Sequence, residues 1–154
     1  MHPILQRSLI FIVLVVAGLV LYVLMFGMDA DKYNETAIPY LNKTLPKLSN
    51  WKYSELKPML SPKALAEFET DKGKAVYRLF TRLGKLESIG KPQYIGDKSV
   101  SSSDFGEVDL VSYTVPVVFE TGPAEIKIIL ASNGQSYSIH HLRINSAIYI
   151  DLQE

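Results

Sequence analysis

The side chains best suited to chemistry lie close together near the carboxyl end of the chain. His140 and His141 are adjacent, and Ser138 precedes them by two residues. Neighbouring residues of a β-strand point to opposite faces, so this histidine pair cannot chelate one metal ion from a regular strand. Ser138 and His140 could begin a nucleophile–base pair, but no glycine-flanked elbow of the kind such a serine needs surrounds them. We therefore predict no catalytic and no metal-binding residue, with one histidine packed or hydrogen-bonded and the other solvated.

Composition narrows the classes of function further. The 154 residues include 16 Lys and Arg, 16 Asp and Glu, and no Cys. Zero net charge argues against a nucleic-acid-binding protein, which needs a basic surface. Without Cys there is no disulfide framework, thiolate metal site, Cys nucleophile or lipid-modified Cys. The chain also lacks a glycine-rich phosphate-binding loop, so no cofactor is expected.

One segment indicates a membrane protein. Residues 8–28 are 21 consecutive uncharged residues, most of them aliphatic. A helix of this length rises by roughly 30 Å, the thickness of a bilayer core. A cleaved signal peptide, the alternative, has a shorter apolar region that ends at a small-x-small site, whereas this run ends in Phe26-Gly27-Met28. The sequence therefore predicts a retained signal anchor that places residues 8–28 in the lipid bilayer.

The charges beside this segment predict its orientation. The amino terminus and Arg7 precede it, and Asp29, Asp31 and Lys32 follow it. The positive-inside rule then places residues 1–7 in the cytoplasm as a short head. Residues 29–154 form one extracytoplasmic domain, in the periplasm, and the protein is expected in the inner membrane with a single pass.

The first half of this domain has the periodicity of helices. Apolar residues recur every three or four positions over 33–48, and Pro39 should kink this helix or delay its start. A short helix is predicted over about 53–60. Ser61-Pro62 then begins another helix, because Ser is a good N-cap and Pro is favoured at the first helical position.

The rest of the helical half ends at a polar segment. The helical period extends over 65–86, with a break near residues 71–74, and Gly90 and Pro92 stop it. Residues 96–104 are rich in Ser, Asp, Lys and Gly, which predicts a loop between the two halves of the domain.

The second half has the period of two that is typical of antiparallel strands. Residues 111–119 alternate between apolar and polar side chains, and Pro116 requires an edge position or a bulge because it cannot donate a ladder hydrogen bond. Turns are predicted at 121–123 and at Asn133-Gly134, which tolerates positive φ. A last strand over 137–150, with room for a bulge, completes a meander of about four strands.

Helices followed by strands predict an α+β domain in which the helices pack on one face of a curved antiparallel sheet. The spacing Trp51…Leu56…Leu60-Ser61-Pro62, followed by Leu83-Gly84-Lys85-Leu86 and Pro92, resembles the helical half of cystatin-like proteins of the nuclear transport factor two-like superfamily. The segment from Asn133-Gly134 to Ser146 resembles their terminal hairpin, with Tyr137 where Trp is common. The resemblance covers about residues 31–150 and implies the fold rather than an activity.

Two kinds of site are implied by the resemblance. Ketosteroid isomerase-like enzymes of this fold hold an acid/base carboxylate and Tyr donors in the cone between helices and sheet. Asp109 and Tyr113, four residues apart on one strand face, are the nearest match, and a solvated charge at a strand end is the other interpretation of Asp109. A cone that binds a small apolar ligand would instead be lined by residues such as Phe68, Leu79, Phe80, Val115 and Ile128.

The sequence favours a non-catalytic interaction or assembly module. Similar folds tethered by one N-terminal helix serve as adaptors in membrane assemblies, so the resemblance implies a membrane-protein partner or a second copy of the chain. The alternatives are a binder of a small apolar ligand and an acid/base enzyme. Tyr149 and Ile150 are the predicted edge at which a partner could add a strand. Lysines at 43, 47, 52, 57 and 63 could face anionic lipids or simply solvent.

Overall fold

The computed structural model describes residues 3–102 and 106–149, with side chains described over 12–22, 32–101 and 106–148. The chain divides into two compact units, Met1–Glu35 and Thr36–Glu154. The predicted partner edge at Tyr149 and Ile150 falls outside the described side chains.

The first helix, α1, spans Pro3–Leu48 and contains Pro39 and Pro46. In the first unit, the side chains of residues 12–22 are exposed. Among the residues whose side chains are described, no helix is long and apolar enough to cross a membrane.

The part of α1 in the second unit carries the predicted apolar stripe. Ala37, Leu41, Leu45 and Leu48 are all buried, none more than 3% exposed. The expectation that Pro39 could delay the helix start is wrong, because the helix is already formed before it. Burial of an amphipathic face stabilises helices in proteins more than local propensity does, and it outweighs the hydrogen bond that proline lacks.

Three short helices follow. The second helix, α2, spans Tyr53–Leu56 and continues as a 3₁₀ turn over Lys57–Met59, as the sequence predicts. The third, α3, spans Pro62–Phe68, and the hydroxyl of its N-cap Ser61 accepts a 3.3 Å hydrogen bond from the Ala64 N–H. The fourth, α4, spans Asp71–Thr81. The predicted break therefore falls just before residue 71.

The helical period predicted to reach Leu86 ends earlier, at Thr81. Gly84 has φ +74°, and the Lys85 N–H donates a 2.8 Å hydrogen bond to Oε2 of Glu120. The Lys85 carbonyl in turn accepts from the Glu120 N–H at 2.9 Å. Backbone groups that α4 could have used are thus bound by the sheet, and Leu86 begins a strand.

The sheet contains five antiparallel strands among the described residues, rather than about four. They are β1 Leu86–Ile89, β2 Gln93–Ser102, β3 Gly106–Phe119, β4 Gly122–Ser132 and β5 Tyr137–Ser146. Both β1 and β2 pair with the same side of β3, and β4 and β5 follow on its other side. A 3₁₀ turn over Ala147–Tyr149 ends the predicted last strand early. The α+β class is confirmed.

The additional strand is β2, which includes most of the segment predicted as a loop. Residues 96–102 pair with β3 in continuous register, from Gly96 opposite Ser112 to Ser102 opposite Gly106. The prediction of a loop at these positions is wrong because strand formation depends on the free backbone groups of a neighbouring strand as well as on local propensity.

Pro116 lies within a strand that is paired on both sides. It is not at an edge, but it is opposite the junction between β1 and β2, where Gly90 N–H donates a 2.7 Å hydrogen bond to the Pro116 carbonyl. The N and C=O of one strand residue point to the same side, so the N–H that proline lacks would have faced this junction. The pairing with β4, through Glu125, stays intact.

The core lies between the helices and one face of the sheet. Its strand residues alternate with half-buried or exposed ones, as the period of two predicts. They are Val111, Tyr113, Val115, Val117, Phe119, Ile126, Ile128, Leu130, Ile139 and Ile144.

Candidate functional site

The two adjacent histidines have different environments, as predicted. His140 is half-buried and its Nδ1 lies 3.3 Å from the hydroxyl oxygen of Ser61, whereas His141 is exposed. Ile129 pairs with His141 and Leu130 pairs with Ile139, so His140 is the extra residue of a β-bulge. The bulge lets Ile139 and Ile144, five positions apart, both face the core.

Electrostatics favour the neutral form of His140. Burial lowers the pKa of His140, and the nearby charges of Lys63 and His141 lower it further. Glu67 opposes them by raising it. The imidazole is thus suited to a hydrogen bond with the Ser61 hydroxyl, whichever of the two donates.

The hydroxyl next to His140 belongs to Ser61 rather than to Ser138. Ser61 is 4% exposed and its Oγ caps α3. Its N–H donates a 2.9 Å hydrogen bond to the Ile139 carbonyl, and Leu60 forms a parallel bridge with Ile139. A buried hydroxyl that caps a helix is a structural group, so this contact joins α3 to β5 and offers no nucleophile.

Asp109 and Tyr113 face the same side of β3 and have different surroundings. Asp109 accepts a 2.5 Å hydrogen bond from the hydroxyl of Ser99, its exposed cross-strand neighbour on β2. Tyr113 is 1% exposed, and its ring packs edge-on against Tyr94 with centroids 5.9 Å apart. The carboxylate thus belongs to a polar strand end and the phenol ring to the core.

The residues predicted to line a ligand cone are divided between core and surface. Phe80, Val115 and Ile128 are buried, while Leu79 is 39% exposed. Phe68 stacks on Tyr53 with ring centroids 5.6 Å apart. These five side chains therefore differ in burial, with three in the core and Leu79 exposed to solvent. Within the described part of the chain, no group of three His, Asp or Glu side chains could hold a metal ion.

The outer edge of β2 is one of the open edges of this sheet, whereas the outer edge of β5 is partly bound by Leu60 and Ser61 at Ile139. Strand β2 is ten residues long, and among the described strands it pairs with β3 alone. An unpaired edge presents backbone N–H and C=O groups that can accept a further strand.

The direction of those backbone groups follows from the register. The Pro116 carbonyl faces the β1–β2 side, so β3 residues of even number direct their backbone groups towards β2. Their partners Lys98 and Val100 therefore form the ladder with Leu110 and Val108. The alternate residues Asp97, Ser99 and Ser101 direct their N–H and C=O outwards.

Side chains hold β2 in place without covering this edge. Tyr94 packs on Tyr113, its hydroxyl hydrogen-bonds Asp97, and Ser99 bonds Asp109. Ile95, the extra residue of a bulge between Tyr94 and Gly96, is 63% exposed. The edge thus combines outward backbone groups with one exposed aliphatic side chain.

The sequence contained weak signs of this edge. Tyr94, Ile95 and Val100 are good strand formers, but Gly96, Asp97 and three serines surround them. The polar residues favour a loop, and only the pairing with β3 makes the segment a strand.

Comparison with protein-family models, with curated proteins and with solved structures finds no match to this chain. The resemblance to cystatin-like domains therefore stays a prediction. The features that bear on function are the apolar segment of residues 8–28 and the geometry of β2.

Proposed function

We propose that this protein is a single-pass, membrane-anchored module with a non-catalytic extracytoplasmic domain that binds a membrane-protein partner. Residues 8–28 serve as the anchor, residues 1–7 stay in the cytoplasm, and the domain lies in the periplasm. The partner adds a strand to the outer edge of β2. A cystatin-like relationship is part of this proposal.

The anchor is supported by the uncharged run and by its helical backbone. Residues 8–28 lie within α1, and helical backbone satisfies every peptide group inside its own segment, as a bilayer core requires. The side chains described in this run, 12–22, are apolar apart from the hydroxyl of Tyr22 and are exposed.

The proposed binding function is based on the open edge of β2. Outward backbone groups over a strand of this length allow several main-chain hydrogen bonds with a partner, each stabilising by about 1 kcal/mol. Tethering adds to this contact, because confinement to the membrane surface raises the effective concentration of the domain near other membrane proteins.

The topology is tested with reporters fused after residue 40. An alkaline phosphatase fusion, active only outside the cytoplasm, should be active, and a reporter that functions only in the cytoplasm should be inactive. The reverse pattern would contradict both the orientation and the periplasmic location.

The binding function is tested by cross-linking in intact membranes. A photoreactive residue replaces Ile95 or Lys98 in β2, and the matched control replaces Lys127, which is exposed in the middle of the sheet on β4. One stoichiometric membrane-protein product from the two β2 positions, absent from the control, is expected. If products form only between copies of the chain, the protein is a homo-oligomer and the proposed membrane-protein partner is wrong. Equal labelling from all three positions would contradict binding at the outer edge of β2.

A further inference from the structure

The exposed side of α4 carries a cluster of cations that packing does not use. Lys72, Lys74, Arg78 and the C-cap residue Arg82 are exposed, with Asp71 as the one acid of this helix. None of these four cations forms an ion pair with a described residue. We call these four residues the α4 cationic cluster.

The lysines farther towards the amino terminus differ from this cluster. Lys52 pairs with Glu55 at 3.3 Å, and Lys57 pairs with Glu69 at 3.5 Å. Part of the positive charge in that region is therefore neutralised locally. On α4, the Lys74 charge also acts on the Glu69 carboxylate, whereas the charges of Lys72, Arg78 and Arg82 are available to an external anion.

Apolar side chains lie between the cations of α4. Val76 and Leu79 are each 39% exposed, and Ala75 is exposed. Residues three and four apart are neighbours on a helix surface. Leu79 therefore lies beside Ala75, Val76 and Arg82, and Lys72 lies beside Ala75 and Val76. Cations around a small aliphatic centre are the pattern of helices that lie on anionic membrane surfaces.

The opposite side of α4 is fixed to the domain. Phe80 is buried, and the ring of Tyr77 packs edge-on against Phe68 with centroids 5.1 Å apart. Gly73 lies so close to α3 that a Cβ atom there would be 2.3 Å from the carbonyl oxygen of Glu67. The helix therefore cannot rotate to bury Val76 and Leu79, and its cationic side stays outward.

We propose that the α4 cationic cluster docks on the anionic headgroups of the bilayer that holds residues 8–28. The proposal rests on the membrane anchor described above, which keeps the domain close to that surface. Lys and Arg bind the lipid phosphates, and Val76 and Leu79 enter the headgroup boundary. Each cation near an anionic membrane favours binding by about 1 kcal/mol, which corresponds to about fivefold in the docking equilibrium.

The test uses the full-length chain in lipid nanodiscs. Because the protein has no Cys, Ala75→Cys provides a single attachment site for an environment-sensitive fluorophore, and Lys127→Cys provides a control site on β4. In discs with about 30% phosphatidylglycerol, the probe at residue 75 should shift to the blue and resist an aqueous quencher. Discs of phosphatidylcholine alone, or about 0.5 M salt, should abolish this shift, and the probe at residue 127 should not respond.

A charge-matched pair of variants locates the contact. K72Q/R78Q/R82Q should reduce the docked fraction, with a loss of roughly a hundredfold in the docking equilibrium. K43Q/K47Q/K91Q removes three exposed lysines elsewhere and should leave docking in place.

Other results would overturn the proposal. Equal loss in the two triple variants would assign the effect to overall charge, and an unresponsive probe in chains that do copurify with discs would exclude lipid docking while the anchor stands. Loss of partner cross-linking in K72Q/R78Q/R82Q without any lipid response would make the ligand of α4 an acidic protein segment. Chains that fail to enter discs would instead contradict the anchor.

Discussion

The indole N–H of Trp51 donates a 2.7 Å hydrogen bond to the carbonyl oxygen of Gly84. Trp51 follows the end of α1 and has φ +53°, a left-handed conformation that is rare for a large side chain. Its ring stacks on Phe119 of β3 with centroids 6.0 Å apart and also contacts Phe80 of α4. One residue thereby joins α1, α4 and the sheet, and these contacts stabilise a strained backbone.

Removal of the indole hydrogen bond should destabilise the domain measurably. Trp51→Phe keeps an aromatic ring but leaves the Gly84 carbonyl without this donor, so we expect a loss of about 1–2 kcal/mol in the free energy of unfolding. Urea denaturation measures it. Tyr53→Phe is the control, because its hydroxyl bonds Glu69 at an exposed position and its loss should leave stability unchanged. Equal effects of the two substitutions would contradict a special role for Trp51.

Gly84 and Gly134 should respond differently to alanine. Both have positive φ, +74° and +83°, so Ala is strained by roughly 1 kcal/mol at either position. A Cβ on Gly84 would also lie 2.2 Å from Oε2 of Glu120, whereas nothing lies within 4 Å of one on Gly134. We expect Gly84→Ala to cost about 2–3 kcal/mol, because it also displaces the carboxylate that caps Lys85. Thermal unfolding that showed equal losses would contradict this steric account.

The stability of the domain should decline as the pH falls below the ordinary pKa of histidine, about 6.5. Burial lowers the pKa of His140 in the folded state, so the unfolded chain takes up this proton first and is favoured as the pH falls. His140→Gln should reduce the change of melting temperature with pH between about pH 7.5 and pH 5.5. His141→Gln, at the exposed neighbour, should retain the wild-type slope. An unchanged slope in His140→Gln would show that another group is responsible.

Proline at two adjacent positions of β2 should separate binding from stability. Val100→Pro removes a donor from the ladder with Val108 and should cost about 1–3 kcal/mol, since a carbonyl of β3 loses its partner. Ser99→Pro removes an outward N–H, which edge strands tolerate, and should mainly weaken the partner cross-link.

The control for this pair is Ser99→Ala, which also loses the hydrogen bond to Asp109 but keeps the backbone N–H. Ser99→Pro should reduce cross-linking by about tenfold relative to Ser99→Ala, since at least one intermolecular hydrogen bond is blocked. If the two variants cross-link equally, partner binding does not use the outer edge of β2.

Local patterns predicted the elements whose signals lie within a few neighbouring residues. Ser61 caps α3, residues 111–119 form a strand with one buried face, and Asn133 organises a hairpin loop in which its Oδ1 accepts from the N–H groups of Gln135 and Ser136. In each case the physical cause is local, either a cap, a turn or a period of burial.

The candidate site was not predictable in the same way. The sequence predicted a loop at residues 96–104, whereas residues 96–102 belong to β2, whose outer edge is open. Residues 103 and 104, and the predicted partner edge at Tyr149 and Ile150, lie outside what the structure describes. A polar segment becomes a strand when a neighbouring strand offers free backbone groups in register, and that neighbour, β3, begins beyond the segment itself.

By itself, the sequence determined the uncharged run of residues 8–28 and the order of helices before strands, because hydropathy and periodicity record which surfaces avoid water. Only the tertiary structure decided that α4 ends at Thr81, that Pro39 lies inside α1, and that Ser61 meets His140 across 79 positions. These outcomes depend on contacts between residues far apart in the chain. Such contacts set the final balance of free energy, and local propensity cannot report them.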